Sequence, residues 1–291
     1  MSQTMLIDEL TRAEGLLLQE QDEEARDLLL RLAEDAEEYI DRNCVTTQEV
    51  QWFCFPSAFE RLCYRRVEND PRELRDVGEP LDRLYADLAL ADVRMGEYDH
   101  AIEALKRAVR WNPMGCGYRL DLADLFLISG NVDECLGLAY SVFDRASDAR
   151  HLARAFLVFA NWFQQTGNEP ACAAALRAAR RLDVRDGSLE AALDQARDTK
   201  HDPNSLSDEE TRDILFAEGL PEGANAEVAI CLLMCATDAA ALGDRYTATE
   251  LTIRARDLVG EPAAMALLQL IREGDKELEA QKESKGAEHA K

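Results

Sequence analysis

Residues 84–113 read LYADLALADVRMGEYDHAIEALKRAVRWNP. Small and apolar residues recur in it at helical spacing around one glycine: Leu88 and Ala89, Gly96, then Ala101, Leu105 and Ala108. Thirty-four residues on, the same slots are filled by Leu122, Ala123, Gly130, Cys135 and Val142. After a step of 37 they return as Phe159, Ala160, Gly167, Cys172 and Ala179. After a step of 76 they return again as Cys235, Ala236, Gly243, Ala248 and Ala255. A fixed period in the thirties marks a supersecondary unit that stacks on copies of itself. The residue types have a packing reason. Small side chains let neighbouring helices approach. Glycine reverses the chain where a left-handed backbone costs other residues energy. A step of 76 is two repeats and eight residues, which predicts a weaker helix pair in the gap.

The pattern thins toward both ends. The first 40 residues carry 12 acidic and 3 basic side chains, with Leu16, Leu17, Leu28, Leu29 and Leu32 at helical spacing. They predict helices over about 4–19 and 22–42, a degenerate first pair in which Ala25 and Leu29 match loosely and the turn glycine is missing. Residues 44–80 break the pattern. Gln51-Trp52-Phe53-Cys54-Phe55-Pro56 is an apolar aromatic run, and Ser57 with Glu60 predicts a capping box for a helix ending near Glu68, before Asp70-Pro71. The run is either a plug packed between helix pairs or an exposed contact made by Trp52, Phe53 and Phe55.

Repeats follow at about 82–115, 116–149, 153–186 and 229–262. Loops are predicted at Lys200–Ser207 and Gly219–Gly223, and Pro262 starts a last helix. The expected organisation is one helical-repeat domain over 1–273: a degenerate acidic pair (1–43), an aromatic connector and helix (44–80), three repeats (82–186), a degenerate pair with loops (187–228), and a last repeat with its capping helix (229–273). A charged flexible tail is expected over 274–291.

Composition limits function. Hydrophobic residues make up 47% and aromatics 7%, a mix that favours helices throughout. The formal net charge of -24 argues against non-specific nucleic-acid binding, which needs cations to neutralise phosphates, and against docking on anionic lipid. The acidity points either to a basic partner or to a solvated, solubilising surface. The eight cysteines form no CxxC pair, and Cys135 and Cys172 fill slots for small buried residues. The opening residues lack the apolar core of a signal peptide. These features fit a reducing cytoplasm.

Residues 82–186 and 229–262 resemble the tetratricopeptide repeat superfamily, with Tyr85, Leu88, Ala89, Gly96, Tyr98, Ala101, Leu105, Ala108 and Pro113 in its signature slots. Later repeats depart: Val132 and Glu169 replace the turn tyrosine, and the final proline is absent. The aromatic run followed by VGEPLDRLY and WNP is similar to bacterial repeat proteins of this kind, a likeness that implies no activity. The resemblance implies an all-α fold, a right-handed α-α superhelix of stacked antiparallel helix pairs. It implies a concave groove for a peptide or protein segment, lined by Arg83, Leu90 and Arg94, by Leu120, Asp124 and Leu127, and by Arg154, Leu157, Asn161, Gln164 and Gln165. Family members that grip C-terminal carboxylates carry Lys and Asn at slots filled here by Ala86 and Leu90, and by Leu120 and Asp124, so that clamp is absent. The three arginines instead suggest an acidic ligand, or serve only to pair with nearby carboxylates such as Asp87 and Asp124.

Catalytic and metal motifs are missing. His100, His151, His201 and His289 lie far apart in sequence, without zinc-ligand spacing, and no GxGxxG, GxxxxGK[ST] or GxSxG occurs. Cys231 and Cys235 share one helix face, but Cys235 fills a core slot. The expectation is therefore an interaction scaffold without enzyme activity, cofactor or metal. A peptide-sensing regulator and a self-assembling structural protein are the alternatives, the second forming homo-oligomers through Trp52, Phe53 and Phe55.

Overall fold

A computed structural model describes residues 3–197 and 202–274. The chain falls into two compact units, Met1–Val142 and Phe143–Lys291; the sequence pattern carries no mark at that boundary. The first unit holds α1 (Gln3–Leu18), α2 (Asp22–Asn43), β1 (Val50–Phe53), α3 (Ala58–Glu68), β2 (Glu73–Asp76), α4 (Leu81–Arg94), α5 (Tyr98–Trp111), α6 (Cys116–Ile128) and all but the last residue of α7 (Val132–Phe143). The second holds α8 (Ala149–Thr166), α9 (Glu169–Arg181), α10 (Gly187–Ala196), α11 (Asp208–Ala217), α12 (Ala226–Ala241), α13 (Arg245–Val259) and α14, residues 261–274. The fold is thus all-helical but for two short strands. The tail beyond residue 274, and Lys200 and His201 of the predicted loop, lie outside the described residues.

Among the described residues one helix-hairpin turn recurs five times. Gly96, Gly130, Gly167 and Gly243 have φ of 80°, 80°, 76° and 83°. Each is followed by one residue and then by the next helix. In each turn the residue after the glycine donates its N–H to a carbonyl five residues back: Glu97 to Asp92 (2.8 Å), Asn131 to Phe126 (2.8 Å), Asn168 to Phe163 (2.8 Å) and Asp244 to Ala239 (2.9 Å). The glycine N–H itself donates to the carbonyl three residues back. This Schellman arrangement satisfies carbonyls that a helix end leaves orphaned. The fifth copy joins α1 to α2, the pair whose glycine the sequence lacks. Glu20 takes the slot at φ 60°, and Gln21 donates to Leu16 at 3.0 Å. The pair was degenerate in residue type, not in geometry.

After each turn the first small slot of the following helix seats it on its partner. Ala25, Ala101 and Cys135 are buried, and Cys172 is half-buried. In the first unit α4 packs on α1, α2 and α5, and α5 packs on α6 and β1. Leu10, Leu29, Leu81, Leu84 and Tyr85 are fully buried at this junction. Tyr85 donates its hydroxyl to Glu37, which also accepts from Arg107 at 2.7 Å. In the second unit α9 packs on α8, α10 and α11, and α12 packs on α13. The two helices of the predicted degenerate pair, α10 and α11, each find their neighbour in α9. Six alanines of α9 are buried, which is what lets three helices gather on one short element.

Residues 44–80 form a β–α–β unit that the sequence reading took for connector and helix. β1 and β2 pair in parallel, with Val50 opposite Glu73 and Phe53 opposite Asp76. Val, Trp and Phe in β1 suit a strand buried on one face, but a four-residue run leaves too few alternations to be read as one. Ser57 does cap α3, accepting from the Phe59 N–H at 3.2 Å and donating to Glu60. That is not the reciprocal box predicted there. A reciprocal box occurs at α11, where Ser207 N–H reaches Glu210 at 2.8 Å and Glu210 N–H returns to the Ser207 hydroxyl at 3.2 Å.

The turn geometry gives paired expectations of opposite sign. A Cβ at Gly96 or Gly130 would meet nothing within 4 Å, so substitution there strains only the backbone. Gly96→Val and Gly130→Val should each lower stability by about 1–2 kcal/mol. Glu20→Gly should raise it by roughly 1 kcal/mol. Urea unfolding of the three variants measures this; a neutral Glu20→Gly would show that its left-handed backbone is unstrained.

Candidate functional site

The predicted groove residues of α8 share one helix face at positions 154, 157, 161, 164 and 165, while Leu152, Phe156, Phe159 and Phe163 are buried on another. Asp148 starts the helix by accepting from the Arg150 N–H, and Gly167 ends it. Asn161, Gln164 and Gln165 are exposed, and Arg154 and Leu157 are half-buried. Asn161 and Gln164 open onto a cleft of about 370 Å³ between α8, α9 and α10. Ala160, Ala173, Leu176 and Ala192 give it an apolar lining, and Gln195 of α10 adds a third amide. The cleft exists because α9 presents alanine where a larger side chain would close it. Arg154, Leu157 and Gln165 are not among its lining residues. Sequence reasoning missed Gln195: α10 lies outside the repeat register, so no slot identified its inward face.

A side-chain amide both donates and accepts, as a peptide group does. Three amides over an apolar lining can pair with an extended backbone and seat a small side chain. The one acidic lining residue is Glu169, at the mouth of α9. The Cys172 thiol, also in the lining, is pushed up by burial and by the nearby Glu169 carboxylate, so it is held as a thiol, the unreactive form.

The groove residues of the first unit are placed differently. Arg83 pairs with Glu14 of α1. Arg94 reaches Asp22 at 2.9 Å and the Leu17 carbonyl at 2.7 Å. Both arginines are therefore neutralised, by carboxylates from the preceding helix pair and not by Asp87 or Asp124. They fasten α4 to α1 and to the first turn of α2, so removing them would disturb that packing before any ligand. Leu90 and Leu127 are 41% and 43% exposed, whereas Leu120 is 1% exposed and faces the core. Asp124 is exposed.

The aromatic run packs within the first unit. Phe53 is 2% exposed and packs with Phe55 and Tyr64 at ring separations of 4.9 and 4.6 Å. Trp52 is half-buried and donates its indole N–H to the Val45 carbonyl at 3.2 Å. Arg110 donates to the Trp52 carbonyl at 3.0 Å and lies over the Trp111 ring. Of the three aromatic residues, Phe53 is thus buried in the first unit, while Trp52 and Phe55 are half-buried.

Beside the aromatic run lies a buried polar cluster. Asp82 is 3% exposed and accepts from Asn112 at 2.9 Å, from the Tyr118 hydroxyl at 3.3 Å and from the Cys54 thiol at 3.5 Å. Burial and the Asp82 charge push the Cys54 thiol far up, so it too is held as an unreactive thiol. Among the described residues no group of three or more His, Cys, Asp or Glu could hold a metal ion, and no helix is long and apolar enough to cross a membrane. No family model matches the chain, and no curated protein matches it.

Asp87 sets a pH dependence. One of its oxygens is buried without a partner. Burial and the Glu14 charge push its carboxyl up to about 7, against the pull of Arg83. A carboxyl raised in the folded state stabilises fully below its unfolded value, near pH 4, and that contribution is lost as pH rises through about 7. Asp87→Asn should therefore gain roughly 1–2 kcal/mol over the parent at pH 8, after allowance for solvent screening, and close on it by pH 4. Thermal melts across that range test this; a constant difference would place the ionisation elsewhere.

Proposed function

We propose that this chain is an interaction module of the tetratricopeptide repeat type, a right-handed superhelical array, and that it binds an extended peptide segment of a protein partner without catalysing a reaction. The α8–α9–α10 cleft carries the reading, since it brings predicted groove residues Asn161 and Gln164 together with Gln195 over an alanine lining. The recurrent Schellman turn supports the repeat assignment: it keeps one geometry even where the residue changes, at Glu20. Eight free thiols accord with work in a reducing cytoplasm. A ligand for this cleft is uncharged where it meets the amides and methyl groups, since the lining holds no arginine and its one carboxylate, Glu169, lies at the mouth.

Selection of extended peptides from a displayed library on the immobilised chain tests this. Asn161→Ala with Gln164→Ala should weaken the selected peptides by roughly tenfold for each amide lost, since a hydrogen-bonding side chain is worth about 1–1.5 kcal/mol. Binding should change little with salt, because neutral amides are not screened. Peptides that bind the double variant equally well would move the site away from α8.

A further inference from the structure

A second cavity in the second unit has no counterpart in the repeat pattern. It has a volume of about 510 Å³ and lies where the first turn of α8, the α9–α10 connection and the later half of α13 meet. Four arginines line it: Arg150, Arg185, Arg254 and Arg256. We propose that this cavity is an oxyanion site that takes the phosphate group of a small phosphorylated ligand.

The arginines are pre-positioned by their own partners. Arg150 turns its Nε and Nη2 edge to Asp148, at 3.1 and 2.5 Å. Arg256 turns the same edge to Asp257, at 2.9 and 2.7 Å. Arg254 turns it to Ser147, at 3.1 Å to the carbonyl and 2.6 Å to the hydroxyl, with Glu250 at 3.5 Å from its Nη1. An edge held in this way fixes the plane of a guanidinium and, at Arg150 and Arg256, leaves further donors for a ligand. Arg185, on the α9–α10 connection, is exposed and has no hydrogen bond or ion pair among the described residues.

The carboxylates in the cavity fit this account. Burial pushes Asp148 up, but the Arg150 hydrogen bonds and the charges of His151 and Arg150 outweigh it, and its carboxyl is held below the usual range. It stays ionised and keeps Arg150 in place. At Arg256 the hydrogen bonds to Asp257 hold the guanidinium in place and raise its pKa. Asp148, Asp183 and Asp257 in the lining, with Glu250 beside Arg254, balance the four guanidinium groups, so the cavity is locally neutral in a chain of formal charge -24, and Arg185 is the guanidinium left for a ligand. The 18-residue helix α8 starts here, and its positive end adds to the field. Arginine forks suit tetrahedral oxyanions better than a single planar carboxylate, because several donors can share three oxygens.

Titration calorimetry of the full chain at constant ionic strength tests the proposal, with pyrophosphate, inorganic phosphate and AMP as probes. Pyrophosphate should bind saturably at one site. Arg185→Ala and Arg256→Ala should each weaken it by about tenfold with unchanged circular dichroism melts, as both side chains are exposed. AMP binding more tightly than phosphate would assign the ligand an organic part; equal affinity would assign the free anion. Absence of saturable binding of all three up to about 10 mM, the weak end of specific affinity, would overturn the proposal. So would binding that both variants leave intact.

Discussion

The architecture rests on one backbone constraint. Each helical hairpin needs a residue with left-handed backbone, so that its own N–H and that of the next residue can fold back onto the carbonyls of the helix just ended. Where that residue is glycine the reversal is nearly free; where it is Glu20 the hairpin still forms, at a local cost. The spacing of the small slots follows from the turn. With the left-handed residue fixed, the next helix always starts two residues later, so Ala25, Ala101, Cys135 and Cys172 fall at the same point of closest approach. Packing and register are thus consequences of the turn more than independent features of the sequence.

That dependence explains what could be read in advance. The glycines at 96, 130, 167 and 243 announce their turns because no other residue is so cheap there. The repeat starts follow less closely: α8 opens at Ala149 where the spacing put 153, and α12 at Ala226 where it put 229. The turn at Glu20 was hidden because its geometry is enforced by the packing of α1 on α2 and not by residue type. The β–α–β unit was hidden for another reason. Four-residue strands carry almost no periodicity, and their pairing across α3 is a tertiary fact. At the candidate cleft, Asn161 and Gln164 were legible from their place on α8, whereas Gln195 depended on where α10 lies against α9.

Charge follows a similar logic. In so acidic a chain, a lone arginine on a helix face reads as a site, yet Arg83 and Arg94 are absorbed by Glu14 and Asp22 from the neighbouring pair. The carboxylates come from 69 and 72 residues away along the chain, beyond what local spacing can show. What survives as a chemical surface is of two kinds in the second unit: a cleft of amides and alanines with one carboxylate at its mouth, and a cavity lined by four arginines. The first suits a backbone, the second an oxyanion, and neither needs the other.

The β–α–β unit also bears on the order in which the first unit assembles. Its helical hairpins close contacts between segments adjacent in the chain, which form early and locally. β1 is different. It is held on one side by β2 and on the other by the end of α5, through Cys54 N–H to the Trp111 carbonyl at 3.0 Å and Arg110 to the Trp52 carbonyl at 3.0 Å. The two ends of that clasp are 58 residues apart, and closing such a loop carries an entropic cost that hairpins avoid. Residues 50–54 therefore cannot settle until α5 is complete. A chain emerging from synthesis would hold an apolar strand in waiting, Trp52 and Phe53 included, until Trp111 arrives to cover it.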